Sequence, residues 1–296
     1  MRAGGAAAAP RARARRSPAA PQARAGPTRA RPRVPADRTP CGSSATEPPD
    51  ESAVNQTTAI ALAALNRDFY RESAAEFART RSAPWPGWHE ILPLLRGRPR
   101  ASILDAGCGN GRFASFLCDA LGAPFLYCGI DSSAPLLALA ASALAHVPGV
   151  RLLQTDLVLE PPERALPAER FDLVAAFGLL HHVPGESRRR ELIRALAARV
   201  EEGGFLALTF WDFGGEPRFE RKALREIPAE LSGQLEPGDV LLRWGSDDSS
   251  RLRYCHHTDA AEETRLLAGL PLAPRLAFSS DGATGRLNRY RVFERL

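Results

Sequence analysis

The segment Ile103-Leu104-Asp105-Ala106-Gly107-Cys108-Gly109-Asn110-Gly111-Arg112-Phe113 constrains this chain more than any other. An apolar run ends in three glycines at alternate positions, and a helical pattern opens directly after them. Such a turn lets backbone pass close to a ligand at the carboxyl end of a buried strand, where a Cβ would intrude and unusual φ values are needed. The helix start adds free N–H donors. The dinucleotide fingerprint is a different pattern, Gly-x-Gly-x-x-Gly or Ala; here Gly111 arrives one position early. Acids recur where the next strands should end, at Asp131 after Cys128-Gly129-Ile130 and at Asp156 after Gln154-Thr155. An acid about 20 residues beyond a glycine loop suits ribose hydroxyls, and Asp156 can accept from an adenine amino group. With Asp105, three successive strands end in acids, as expected of a site at a switch point of an open sheet.

The surrounding periodicity supports that frame. Ile60, Leu62, Leu65, Phe69 and Phe77 recur at helical spacing ahead of Pro84 and Pro86, and Trp88, Ile91, Leu92 and Leu95 mark a second short helix. Strands are expected at 102–104, 125–130, 151–154, 171–176 and 205–210, with helices over 112–121, around 136–144 and over 186–200, the last stopping at Gly203-Gly204. Alternation of this kind implies a parallel sheet covered on both faces. After a helix over 258–267, strands at 275–279 and 287–293 flank Asp281-Gly282, a hairpin signal. The expected fold class is α/β, Rossmann-like, with a mostly parallel seven-stranded sheet and a terminal antiparallel hairpin. Residues 212–254 read as an insertion.

Composition divides the chain. Residues 1–50 hold ten arginines against Asp37, Glu47 and Asp50, so a chain of net charge +5 has a slightly acidic remainder. Residues 1–54, rich in Arg, Ala and Pro, are expected to be a disordered tail, since they lack the apolar surface to offset ordering entropy; the domain spans 55–296. No apolar run approaches the roughly 20 residues of a membrane span. Five scattered cysteines fit free thiols in a reducing compartment. A cytoplasmic location is expected, or an organelle if the tail is a transit peptide.

The glycine loop, the acids and the final hairpin resemble the class I methyltransferases that use S-adenosylmethionine. That resemblance implies S-adenosylmethionine as cofactor. Its binding set is Asp105 at the amino-acid end, Gly107, Gly109 and Gly111, Asp131 with Ser132, Asp156 with Leu157, and Phe177 after the fourth strand. That strand runs on as Phe177-Gly178-Leu179-Leu180-His181-His182. It lacks the Asp/Asn-Pro-Pro-aromatic element of nucleobase amino methylation and the Pro-Cys nucleophile of pyrimidine C5 methylation, which favours an oxygen acceptor.

A narrower resemblance rests on Phe69-Tyr70, Glu76-Phe77-Ala78-Arg79-Thr80-Arg81, Pro84-Trp85-Pro86, Leu179-Leu180-His181-His182, Arg253-Tyr254-Cys255-His256 and Asn288-Arg289-Tyr290-Arg291-Val292. These resemble the tRNA wobble-uridine carboxymethyl methyltransferases, which esterify the carboxylate of 5-carboxymethyluridine. The resemblance implies tRNA as partner and a small zinc-binding activator subunit. It places Tyr70, Arg79, Arg81 and Trp85 over the methionine end and the acceptor. A carboxylate is ionised at neutral pH and needs a positive clamp more than a base, so Arg81 and Arg79 are the catalytic candidates, with His181. His182, Arg253, Tyr254 and His256 are expected on the acceptor side. No metal is expected, because neighbouring strand residues such as Cys255, His256 and His257 point to opposite faces. A small-molecule oxygen or carbon acceptor, and a non-catalytic cofactor-binding subunit, are the alternatives.

Overall fold

The structure is a computed structural model that describes residues 54–229, 231, 234–244 and 251–296. Of the tail expected over 1–54, residues 1–53 lie outside the described residues; Val54 is buried. Helix α1 (Gln56–Thr80) begins at Asn55, whose side chain accepts from Thr58 N at 2.9 Å. It ends at Arg81, shortly before Pro84 and Pro86 stop any continuation. Helix α2 (Trp88–Ile91) and a 3₁₀ turn lead to β1 (Ser102–Ala106). Then follow α3 (Arg112–Ala120), β2 (Leu126–Asp131), α4 (Ala134–Ala143) and β3 (Val150–Gln154). The chain continues through α5 (Pro162–Ala165), β4 (Phe171–Ala176), a 3₁₀ turn over Leu180–His182, α6 (Glu186–Ala198) and β5 (Val200–Trp211). The last part holds α7 (Pro217–Glu220), β6 (Asp239–Trp244), β7 (Arg251–His256), α8 (Ala260–Leu267), β8 (Ala273–Ser280) and β9 (Asn288–Glu294).

The seven-stranded sheet has the order β3-β2-β1-β4-β5-β9-β8, with β9 antiparallel to both neighbours and the other pairings parallel. Residues 103–106 of β1 and 173–176 of β4 are buried on both faces. Alternate side chains feed two cores. Leu104, Val174 and Ile130 pack with Leu192, Ile193 and Leu196 of α6. Ile103, Leu173 and Ala175 pack with Trp88, Ile91, Phe113 and Leu117. The strand order reverses between β1 and β4, so the carboxyl ends of β1, β2 and β4 frame the crevice where such sheets bind ligands.

One local expectation is corrected. Helix α6 ends at Ala198, and Val200 already pairs with Phe171, so Gly203-Gly204 lies inside β5. The glycines permit a bulge: Gly203 has φ +69°, and a Cβ on Gly204 would meet three backbone oxygens at 2.9–3.0 Å. The terminal hairpin, expected from strands at 275–279 and 287–293, closes through a longer loop, residues 281–287. Asp281 holds that longer loop by accepting from Gly87 N at 2.9 Å and from Tyr290 OH at 2.6 Å. The insertion forms a second two-stranded sheet, β6–β7, reaching His256. It docks on α1 where Asn66 Oδ1 accepts from Tyr254 N at 2.8 Å. No described helix is long and apolar enough to cross a membrane.

Candidate active site

A cavity of about 460 Å³ lies at the carboxyl ends of β1, β2 and β4, roofed by α1 and walled by the insertion. The three loop glycines face three different constraints. All have positive φ, at +78°, +56° and +75°. A Cβ on Gly107 would press on Leu179 at 3.2 Å, and one on Gly111 would meet Leu144 at 2.9 Å and Ala140 at 3.1 Å. A Cβ on Gly109 would meet nothing within 4 Å; Gly109 lines the cavity, so that space opens into it. Gly111 is therefore a packing and helix-entry residue, against the expectation that it lines the site.

Asp105 is buried and accepts from Tyr127 OH at 2.5 Å, and burial pushes its carboxyl up to about 7. Asp131 accepts from Gly109 N at 2.9 Å and from Ser133 N at 2.8 Å, so its carboxylate ties the end of β2 to the glycine loop. Asp156 accepts from Val158 N at 3.0 Å and Leu159 N at 3.2 Å, and pairs with Arg67 of α1 at 3.0 Å. Ser132, Leu157 and Phe177 line the same end of the cavity. Polar acids and an open glycine at one end, with Phe177 and Leu157 beside them, suit a nucleoside carrying an amino-acid tail. The residues present fit S-adenosylmethionine.

The other end is cationic and aromatic. Arg253 is 5% exposed, and its Cζ lies 5.2, 5.4 and 5.6 Å from the rings of Trp211, Trp244 and Phe69. Its Nε has no hydrogen-bond partner. The guanidinium of Arg81 lies 4.2 Å over Phe77 and 4.6 Å over Trp244. Burial, then the neighbouring Arg253 charge, push its pKa down to about 10. Among the described residues, no carboxylate pairs with either arginine, and a buried cation without an anion is costly.

His182 has both nitrogens engaged. Nδ1 lies 3.0 Å from Tyr254 O and 3.2 Å from Asn66 Nδ2, and Nε2 lies 2.8 Å from Tyr70 OH. Burial and then Arg253 push its pKa down to about 3, so it is neutral. His181 is also held neutral, by burial first and by its neighbour His182; its buried Nδ1 has no partner, and its ring packs 4.8 Å from Trp211. Trp85 stacks on Trp88 at 5.4 Å, with the Arg112 guanidinium 5.2 Å over it.

Tyr70, Arg81, Trp85, His181, His182 and Arg253 thus converge on one cavity. Three expected residues do not. Arg79 is exposed on the last turn of α1 and does not line the cavity, because two positions earlier on a helix points elsewhere. Tyr254 and His256 lie behind the cavity wall. Tyr254 OH donates to Asp239 at 2.7 Å. His256 bridges Asp239 and Glu262, both at 2.8 Å, beside fully buried Arg189, which pairs with Glu262 and Glu236. Two groups, His181/His182/Cys255 and Glu236/Asp239/His256, bring potential ligand atoms within 4.8 Å of one another; the nitrogens of His182 and His256 are already engaged by the partners just named. Sequence reasoning missed Phe77, Arg112, Trp211, Lys222, Arg243 and Trp244 on the cavity wall. The one signal available was the run of arginines in the insertion, with Trp244 among them.

A methyltransferase-domain family model matches residues 104–206. A protein of Encephalitozoon cuniculi named as a methyltransferase is 31% identical over 188 residues, covering 64% of this chain and 77% of that one. The chain belongs to the methyltransferase family. A tRNA (carboxymethyluridine(34)-5-O)-methyltransferase of Arabidopsis thaliana is 32% identical over 161 residues, 54% of this chain; the match spans 35% of that protein's length. The fold matches a SAM-dependent methyltransferase of Methanosarcina mazei with TM-score 0.53 at 18% identity, over 72% of this chain and 98% of that one. The two Rossmann-like sheets share one architecture.

Proposed function

We propose that this methyltransferase uses S-adenosylmethionine to esterify a carboxylate, that of 5-carboxymethyluridine at the wobble position of tRNA. The observation that carries the reading is the buried guanidinium of Arg253 and the half-buried one of Arg81, which face the cavity without an anionic partner among the described residues. The name of the Arabidopsis relative agrees with it. Asp131 would hold the ribose, Asp105 the ammonium of the amino-acid tail, and Gly109 would leave room for the nucleoside. The sulfonium supplies an electrophilic methyl group.

The chain's own residues then need only position and desolvate. A carboxylate arrives ionised, so no base is required, and neutral His181 and His182 add no competing charge. Arg253 and Arg81 present forks that fix carboxylate orientation, and alignment alone supplies much of the acceleration in a displacement of this kind. The rings of Trp211, Trp244 and Phe77 exclude water around the forks, which strengthens each electrostatic contact. A small neutral acceptor would leave the same two cations unpaired.

The test is direct. Purified protein, labelled S-adenosylmethionine and an anticodon stem-loop RNA bearing 5-carboxymethyluridine should yield the methyl ester in nucleoside mass spectra. Absence of the ester, with cofactor binding intact, contradicts the acceptor assignment.

A further inference from the structure

The cavity wall is divided by charge. Its carboxylates, Asp105, Asp131, Asp156 and Asp281, come from β1, β2, the segment after β3 and the β8–β9 loop. The insertion contributes cations instead. Arg253 is buried, while Arg218, Lys222 and Arg243 are exposed at the mouth. Arg243 N donates to Lys222 O at 2.8 Å, and Ala223 bridges to Leu242, so the α7 segment and β6 hold these side chains on one short ladder.

Trp244 separates the outer cations from the inner ones. Lys222 Nζ lies 5.8 Å from its ring, and the Arg81 and Arg253 guanidiniums lie 4.6 and 5.4 Å from it. Arg218 stacks 4.5 Å over Phe219, and its one ion-pair partner among the described residues is Glu216 at 3.9 Å. Lys222 and Arg243 have no carboxylate partner among the described residues. Exposed cations usually scatter among acids on a solvated face. Three on one rim, outside half-buried Arg81 and buried Arg253, form a graded anion track.

We infer that Arg218, Lys222 and Arg243 form a phosphate-binding rim that grips the backbone next to the acceptor nucleotide, while Arg81 and Arg253 take its carboxylate. This rests on the RNA reading above and adds to it the site that distinguishes a nucleotide in a chain from a free carboxylic acid. Phosphate contacts fix register and orientation, and they leave a measurable mark. Each contact releases counterions, so the log of affinity falls with the log of salt by about 0.7 per contact on single-stranded nucleic acid.

The experiment measures binding of the anticodon stem-loop RNA to the full chain, loaded with S-adenosylhomocysteine, by anisotropy across a salt series. The triple variant R218A/K222A/R243A should lower the salt slope by about 2 and weaken binding at least tenfold at low salt. A charge-retaining triple, R218K/K222R/R243K, should keep the wild-type slope. Calorimetric binding of S-adenosylhomocysteine reports that each variant is folded. An unchanged slope in the folded alanine triple overturns the rim. If wild type still methylates the RNA in that case, the acceptor reading stands and the rim alone falls. If wild type neither binds nor methylates the RNA, both fall.

Discussion

Arg253 and Arg81 approach the ring of Trp244 from different elements, β7 and the end of α1, at 5.4 and 4.6 Å. The arrangement brings two like charges together in a water-poor space. An unfolded chain would solvate both, so the folded protein carries a cost there that a bound anion offsets. On the proposed function, that anion is the acceptor carboxylate.

Replacing Arg253 by Met tests that cost. Hydrogen bonds to a charged group contribute about 1.5–3 kcal/mol each, so kcat/KM for the carboxylate acceptor should fall roughly 10²-fold. Melting temperature should stay level or rise, because an apolar side chain of similar length replaces a guanidinium whose Nε is unbonded. A large drop in melting temperature would assign Arg253 to the fold instead.

Asp105 makes cofactor binding depend on pH. Burial pushes its carboxyl up to about 7, whereas pairing with an ammonium requires the ionised form. S-adenosylhomocysteine affinity should therefore rise with pH towards about 7 and level off above it. 5′-Methylthioadenosine, which lacks the amino-acid tail, should show no such rise, and D105N should abolish it. Calorimetry at several pH values checks all three.

The loop glycines should separate by function. G111A forces a Cβ to 2.9 Å from Leu144 and 3.1 Å from Ala140 at positive φ, so it should lower the melting temperature sharply. G109A meets open space, so its structural cost is the backbone strain of about 1–2 kcal/mol, while cofactor affinity should fall at least tenfold. Thermal melts and calorimetry on the two variants decide.

His256 predicts a pH effect on stability away from the cavity. Burial opposes its charge, yet hydrogen bonds to Asp239 and Glu262 outweigh that and raise its pKa, with Glu236 also facing it and Arg189 opposing. A raised histidine pKa gives stability that is full below the unfolded value, near 6.5, and is lost as pH rises through the folded value. Melting temperature should decline across that window in wild type, and H256Q should flatten that component.

The sheet was readable because its signals are local. Apolar runs of strand length, the glycine turn and the stops at Pro84 and Pro86 each act within a few positions. The strand-end acids followed from the same register. The acceptor wall was less readable, because it depends on how the insertion folds over α1. Nothing local distinguishes Arg79 from Arg81, yet one is exposed and the other lies between Phe77 and Trp244. His256 looked like a binding residue, and its fixed role comes from Glu262 and Asp239, brought together only by the fold. Trp244 was missed because its importance lies in bridging three cations that are far apart in sequence.

The carboxylate clamp is tested most directly by pairing acceptors that differ in charge alone. Stem-loop RNA carrying 5-carboxymethyluridine should bind the S-adenosylhomocysteine-loaded protein roughly 10–100-fold more tightly than RNA carrying the neutral 5-carbamoylmethyluridine. R253M should erase that difference. Equal affinity of the wild-type protein for the two RNAs would contradict the account.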